Sequence, residues 1–125
     1  MKNAFTKDLG LALLRVVPSL MMMSHGLPKL QKMLSGDFAF ANPIGIGEAP
    51  SLFLAVVGEF IAPIFIILGF KTRFATIPVI ITMLVAVFIV HGADPFGKKE
   101  LPFLYAIVFI VIALVGPGKF GIDKK

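Results

Sequence analysis

The chain has 125 residues, no cysteine, a formal net charge of +5 and a hydrophobic content of 58%. Soluble domains are roughly 45–50% apolar, and a soluble chain of this size buries only about two-thirds of its surface, so this composition excludes a soluble globular domain. The lack of cysteine excludes thiol–disulfide chemistry and cysteine-ligated iron–sulfur clusters within the chain.

Four apolar segments follow one another along the chain, at 9–30, 52–70, 74–92 and 101–116. About 20 apolar residues cross a bilayer as a helix, and lipid offers no partners for the backbone groups of open strands. The fourth segment is short, and local thinning of the bilayer absorbs such a mismatch. The sequence therefore predicts an all-α integral membrane four-helix bundle that forms a single domain over 1–125.

The first segment is interpreted as a span of the mature protein rather than a cleaved signal peptide. Arg15 interrupts its apolar region, and no A-x-A-like cleavage site follows. Pro18, Pro63 and Pro78 lie inside the first three spans, and each predicts a kink. Pro102 is expected in the first turn of the fourth helix, where a missing N–H is tolerated.

The orientation is predicted from the basic residues. With four spans, one side of the membrane carries Lys2, Lys7, Lys71, Arg73, Lys119, Lys124 and Lys125. The opposite side carries Lys29, Lys32, Lys98 and Lys99. The positive-inside rule therefore places both termini in the cytoplasm, and we expect a bacterial-type inner membrane protein. Anionic lipid headgroups account for the positive surplus, so no nucleic-acid partner is expected.

Glu59 lies near the middle of the second span, where a charge costs about 2.5–3.5 kcal/mol on insertion scales. Arg15 is the cation that lies deepest in a span, and an Arg15–Glu59 pair, direct or through water, is the simplest prediction. A protonated Glu59 is the alternative, because burial disfavours the charged form. Gly58 and Ala62 form a small-xxx-small pair that predicts a close helix approach beside Glu59.

Further ionisable side chains collect toward the outer ends of the helices. His25 and Lys29 are four residues apart and share a face of the first helix, His91 ends the third, and Tyr105 lies about one turn into the fourth. Each also has a purely structural interpretation: the two histidines and Tyr105 suit the membrane interface, and Lys29 is expected to extend to the headgroups.

Ionisable groups inside a membrane are functional candidates by default. We predict catalytic roles for Glu59, His25 and His91, and ligand binding by Arg15, Glu59, His25, Lys29 and Tyr105. No metal site is predicted, because a zinc site built from the two histidines would need Glu59 as its third ligand. The methionines at 21–23 are interpreted as packing residues.

The segment 31–50, QKMLSGDFAFANPIGIGEAP, connects the first two spans on the outer side. Loops longer than about 12–15 residues are uncommon and often functional. Because several of its side chains are apolar, the segment is predicted to lie at the interface over the outer mouth of the bundle, either as a lid or as a strap along the membrane.

Several motifs resemble those of the DoxX family: LRVVPSLMMMSHGLPKL, the GEF that contains Glu59, the GFKTRFA turn and the C-terminal GPGKFGID. The resemblance covers nearly the whole chain, although Lys119 and Gly121 depart from the arginine and serine usual in the last motif. It implies four membrane helices and association with a membrane redox complex. More distant relatives are tied to a thiosulfate-oxidising, quinone-reducing enzyme.

Three functions are compatible with these features. The first is a subunit of a quinone-linked membrane oxidoreductase that meets a redox partner protein, with the quinone bound among the ionisable residues. The second is a non-enzymatic assembly subunit. The third is a small-molecule or proton pathway with Glu59 at its narrowest point, and a pathway of this kind favours a homo-oligomer, because one copy has only four helices. No haem or flavin is expected, since no dinucleotide fingerprint is present, and haem ligation by His25 and His91 is the rival prediction.

Overall fold

The computed structural model describes residues 2–123, which fold into four helices without a strand. The helices are α1 (Lys2–Leu34), α2 (Glu48–Leu68), α3 (Thr72–Val90) and α4 (Phe96–Val115). The all-α prediction is confirmed for this part of the chain. Lys124 and Lys125, which were counted toward the cytoplasmic basic residues, lie outside the described residues.

Three of these helices, α1, α2 and α3, are long and apolar enough to cross a membrane. The fourth has 20 residues, but Lys98, Lys99 and Glu100 occupy its beginning, so its apolar part is only 101–115. Large apolar side chains cover the outside of the bundle, and Phe74 is one of the most exposed. A surface of this kind is suited to contact with lipid rather than water.

Helix α4 begins earlier than predicted. Pro95 occupies the N-cap position with extended backbone, and the helix starts at Phe96. Pro102 therefore lies inside the helix, and the prediction that it would occupy the first turn is wrong. Lys98, Lys99 and Glu100 precede Pro102, and charged residues are compatible with a helix at the membrane surface. The beginning of the apolar segment therefore does not coincide with the beginning of α4.

Helix α1 ends later than predicted. It continues to Leu34, and Gly36, with a φ of 85°, stops it. Just beyond, Lys32 Nζ lies 2.8 Å from Asp37 Oδ2, and this hydrogen bond lowers the pKa of the Asp37 carboxyl. The irregular connection is therefore 35–47, here called the outer loop, and the half of the bundle next to it is called the outer half.

The helices pack in sequential order, α1 on α2, α2 on α3 and α3 on α4, and α4 closes the bundle against α1. One hydrophobic cluster joins all four helices: Met22, Ala62, Ile66, Val79, Met83, Tyr105, Ala106, Phe109 and Ile112. This cluster forms the core of the bundle.

Helix α2 contains one turn of π-helix at Val57–Ile61, and Glu59 is at its centre. The backbone N–H of Ala62 donates to the carbonyl of Val57, five residues back, instead of four. Pro63 follows directly and has no N–H to donate to the carbonyl of Glu59, which favours the wider turn. Turns of this kind are frequent at functional sites.

Helix α3 ends in a second turn of π-helix, Ala86–Val90, which leads into His91. The His91 N–H donates to the carbonyl of Ala86 at 2.9 Å. Earlier in the same helix, Thr82 Oγ1 donates to the carbonyl of Pro78 at 2.7 Å, a contact that accompanies bending of a helix. Helix α3 therefore departs from regular geometry in its outer half.

The C-terminal segment returns to the turn between α2 and α3. Asp123 N donates to the carbonyl of Gly69 at 2.9 Å, and Asp123 Oδ2 accepts a hydrogen bond from Lys71 N at 2.5 Å. Gly69 has a φ of 70°, and a Cβ there would lie 2.3 Å from the Cα of Gly121. The two glycines thus let the tail lie directly on the turn, which gives the terminal motif a structural role.

Candidate functional site

A cavity of about 430 Å³ lies in the outer half of the bundle. All four helices and the outer loop contribute to its mainly apolar walls. The ionisable residues that line it are His25, Lys29, Glu59, His91 and Tyr105. Small-molecule sites in proteins have volumes of roughly 300–1,000 Å³ and few polar groups on apolar walls. Five of the six predicted site residues therefore meet in one cavity of ligand size.

Arg15 is the predicted site residue that does not line this cavity. Its side chain is buried, and Nη1 donates to the carbonyls of Ile66, at 2.9 Å, and Ile67. The last carbonyls of a helix lack regular intrahelical partners and lie at the negative end of the helix dipole. The predicted Arg15–Glu59 pair is therefore wrong: Arg15 ties α1 to the end of α2.

Glu59 pairs with Lys29 instead. Lys29 Nζ lies 2.5 Å from Glu59 Oε1, and the two side chains are 31% and 6% exposed. Lys29 was expected to extend to the headgroups, but its ammonium group instead contacts Glu59 at the cavity wall. The attraction between the two charges offsets part of the desolvation that Glu59 undergoes.

Two glycines hold the backbone of Glu59 between α1 and α3. A Cβ on Gly26 of α1 would lie 2.5 Å from the carbonyl oxygen of Glu59, so the helices touch through their backbones there. A Cβ on Gly58 would lie 2.2 Å from Thr82 Oγ1 of α3. The close approach predicted beside Glu59 is confirmed, and it fixes the direction in which the Glu59 side chain leaves α2.

His25 and Tyr105 both line the cavity and contact each other. Their rings meet edge to face, with centroids 5.9 Å apart and an interplanar angle of 81°. Tyr105 is buried, and its hydroxyl has no hydrogen-bond partner among the described residues. The hydroxyl of Ser51, another residue of the cavity lining, is also buried without a partner there. Buried hydroxyls are normally paired, so these two are available to a ligand.

Ser51 was missed by the sequence analysis. It shares a face of α2 with Ala55 and Glu59, at i, i+4 and i+8, and all three line the cavity. The predicted span began after Ser51, whereas the helix begins at Glu48. A search for polar residues at helical spacing from Glu59 would have found it.

His91 lies at the outer rim of the cavity and is oriented by Asp94. Its Nδ1 is 2.9 Å from Asp94 Oδ2, and the hydrogen bond lowers the pKa of the Asp94 carboxyl. The backbone N–H of Asp94 also donates to the carbonyl of His91 at 2.9 Å. A carboxylate that is hydrogen-bonded to one imidazole nitrogen determines whether the other nitrogen acts as a hydrogen-bond donor or as an acceptor. Asp94 was not predicted from the sequence, although a spacing of three residues in a short turn favours such a contact.

The outer loop forms part of the cavity wall. Its contribution to the lining consists of Phe40, Ala41, Pro43, Ile44 and Ile46. The Phe40 ring centroid is 5.9 Å from Lys29 Nζ, within the range of a cation–π contact. Phe40 N also donates to Glu48 Oε1 at 3.3 Å. The loop thus lies where a lid would lie, and Lys29 links it to Glu59.

No group of three or more histidine, cysteine, aspartate or glutamate side chains suitable for a metal ion occurs within residues 2–123. The polar groups that line the cavity are imidazole, ammonium, carboxylate and hydroxyl groups, which can exchange hydrogen bonds or protons with a ligand.

These features define a small α-helical membrane protein with a ligand-sized cavity in one half of its bundle. The chain belongs to the DoxX family, whose model matches residues 10–92. It is also similar to a Bacillus subtilis (strain 168) protein named "Putative oxidoreductase CatD", with 29% identity over 117 residues, which cover 93% of this chain and 86% of that protein. No solved structure matches the chain significantly.

Proposed function

We propose that this protein is a membrane subunit of a redox system and that its cavity binds the ring of a quinone-type compound. The observation that carries the proposal is the convergence of five ionisable side chains on one apolar cavity. A quinone ring needs apolar walls for its faces and hydrogen-bond donors for its oxygens. The name of the Bacillus subtilis relative, a putative oxidoreductase, supports the same class of function.

The chemistry of the lining suits this ligand. His25 and the unpaired hydroxyl of Tyr105 are donors for the quinone oxygens, and the Lys29–Glu59 pair is a proton reservoir within the same wall. The proposal assigns no haem or flavin to this chain, so electrons would be exchanged with a redox partner protein. The hydrophobic cluster that joins all four helices favours a binding site over a pathway through one copy.

Quinone binding is testable by the fluorescence of Tyr105, because the chain contains one tyrosine and no tryptophan. We expect a methyl-substituted benzoquinone to quench this fluorescence saturably in the purified protein. His25→Ala should weaken the binding about tenfold, since it removes a hydrogen bond to the ligand.

A matched control moves the fluorophore. In Tyr105→Phe/Phe120→Tyr, the single tyrosine lies at the exposed position 120, which does not line the cavity and is next to Gly121 at the turn between α2 and α3. Saturable quenching should therefore disappear. Quenching of equal strength and affinity in both proteins would mean non-specific partitioning of the quinone and would contradict the proposal.

We further propose that all four helices span a bacterial inner membrane, with both termini in the cytoplasm and the outer loop outside. Because the chain has no cysteine, Ser35→Cys introduces a single thiol in an exposed position. This thiol should react with a membrane-impermeant reagent in spheroplasts. Lys119→Cys, near the other end of the bundle, should react only after lysis. The reverse pattern would overturn this orientation.

A further inference from the structure

Helices α2 and α3 separate in the outer half of the bundle. They touch closely where Gly58 faces Thr82. Beyond that point, the outer turns of α2 pack chiefly on α1, whereas the π-helical turn Ala86–Val90 packs on α4 and makes no backbone approach to α2. A gap therefore opens between the two helices on the outer side of the Gly58–Thr82 contact.

The cavity extends into this gap. Leu54 lies one turn outward from Gly58 on the same face of α2, and Val85 lies about one turn outward from Thr82 on α3. Both residues line the cavity. The residues that border the gap, here called the portal residues, are Leu54, Val85, Ala86 and Val90.

The portal residues differ from the floor of the cavity in both polarity and exposure. All four are apolar, and Leu54 and Val90 are 47% and 49% exposed. The floor, in contrast, includes Glu59 and Tyr105, which are 4% and 5% exposed. A polar, buried floor thus continues into an apolar border on two helices that are long and apolar enough to span a membrane.

We infer that this gap is a lateral portal to the lipid phase and that the ligand is an amphiphile with a ring head and a hydrocarbon tail. The head occupies the floor of the cavity, and the tail leaves between α2 and α3 into the bilayer. This inference rests on the proposed quinone-binding function and narrows its ligand to lipid-soluble compounds.

A hydrocarbon tail fits this gap better than a polar group. None of the portal residues carries a hydrogen-bonding side chain, so a polar substituent would be desolvated there without compensation. A tail that continues into lipid remains in an apolar environment throughout. On the side away from the bundle core, the outer loop contributes Phe40 and Ile44 to the cavity lining.

The test compares two quinones with the same ring, a methyl-substituted and a decyl-substituted benzoquinone, in lipid nanodiscs, with quenching of Tyr105 fluorescence as the readout. Quinone concentrations are expressed per mole of lipid, so that the different partitioning of the two quinones into the nanodiscs does not affect the comparison. Val85→Phe fills the gap, and Leu84→Phe is the matched control, because Leu84 is an adjacent exposed residue that does not line the cavity. Ala86→Phe is a second variant of the gap.

We expect Val85→Phe or Ala86→Phe to weaken binding of the decyl quinone about tenfold more than binding of the methyl quinone, since a bulky side chain in the gap obstructs the tail. Leu84→Phe should leave both unchanged. If the methyl quinone binds and neither gap variant weakens the decyl quinone selectively, the portal is overturned and the proposed function stands. If neither quinone quenches the wild-type protein, the proposed function is overturned, and the portal with it.

Discussion

Gly26→Ala is expected to lower the free energy of unfolding by about 3 kcal/mol or more. This is at least the upper end of the range of about 1–3 kcal/mol that is typical of overpacking. The new methyl group would lie 2.5 Å from the carbonyl oxygen of Glu59 and 2.6 Å from its carbonyl carbon. Both are backbone atoms in the π-helical turn of α2, so no side-chain rotation relieves the clash. The two helices must separate, which lowers the unfolding temperature in detergent and disturbs the cavity wall.

Gly10→Ala is the matched control in the same helix. A Cβ at Gly10 meets no atom within 4 Å, so the substitution removes a flexible residue without a clash. The expected change is a gain of up to about 1 kcal/mol, from the higher helix propensity of alanine. Equal effects of the two substitutions on the unfolding temperature would contradict the backbone contact between α1 and α2.

The second large effect is expected from the Lys29–Glu59 pair. Removal of one partner of a buried ion pair costs about 3–5 kcal/mol, because the other charge remains buried and unpaired. Glu59→Gln and Lys29→Met are each expected to lower the free energy of unfolding, toward the lower end of this range because Lys29 is 31% exposed. The double variant should be more stable than the sum of the single effects predicts, and thermal unfolding of the four proteins gives the coupling energy.

A second double-mutant cycle, Arg15→Met with Glu59→Gln, distinguishes the two candidate partners of Glu59. Arg15 donates to backbone carbonyls near the end of α2, so its loss and the loss of Glu59 should be additive. A coupling energy near zero for Lys29–Glu59 together with a large one for Arg15–Glu59 would restore the pair expected from the sequence and refute the contact found in the structure.

The sequence by itself determined the class of protein and most of the candidate site. Hydropathy is a local property, so the apolar segments predicted an α-helical membrane protein, with boundaries that differ from the structure mainly where charged residues continue a helix past the apolar core, as at Lys98. Helical spacing and depth in the span are also local, and they were sufficient to select His25, Lys29, Glu59 and Tyr105.

Only the tertiary structure decided which of these residues meet and how. Whether Glu59 faces Lys29 or Arg15 depends on the rotation and register of α1 against α2, and the backbone contact at Gly26 sets both. The π-helical turn around Glu59 depends on how Pro63 is accommodated in a packed helix, which periodicity does not reveal. The gap beside Leu54 exists because α2 and α3 separate beyond their glycine contact, a property of two helices together and of neither sequence segment alone.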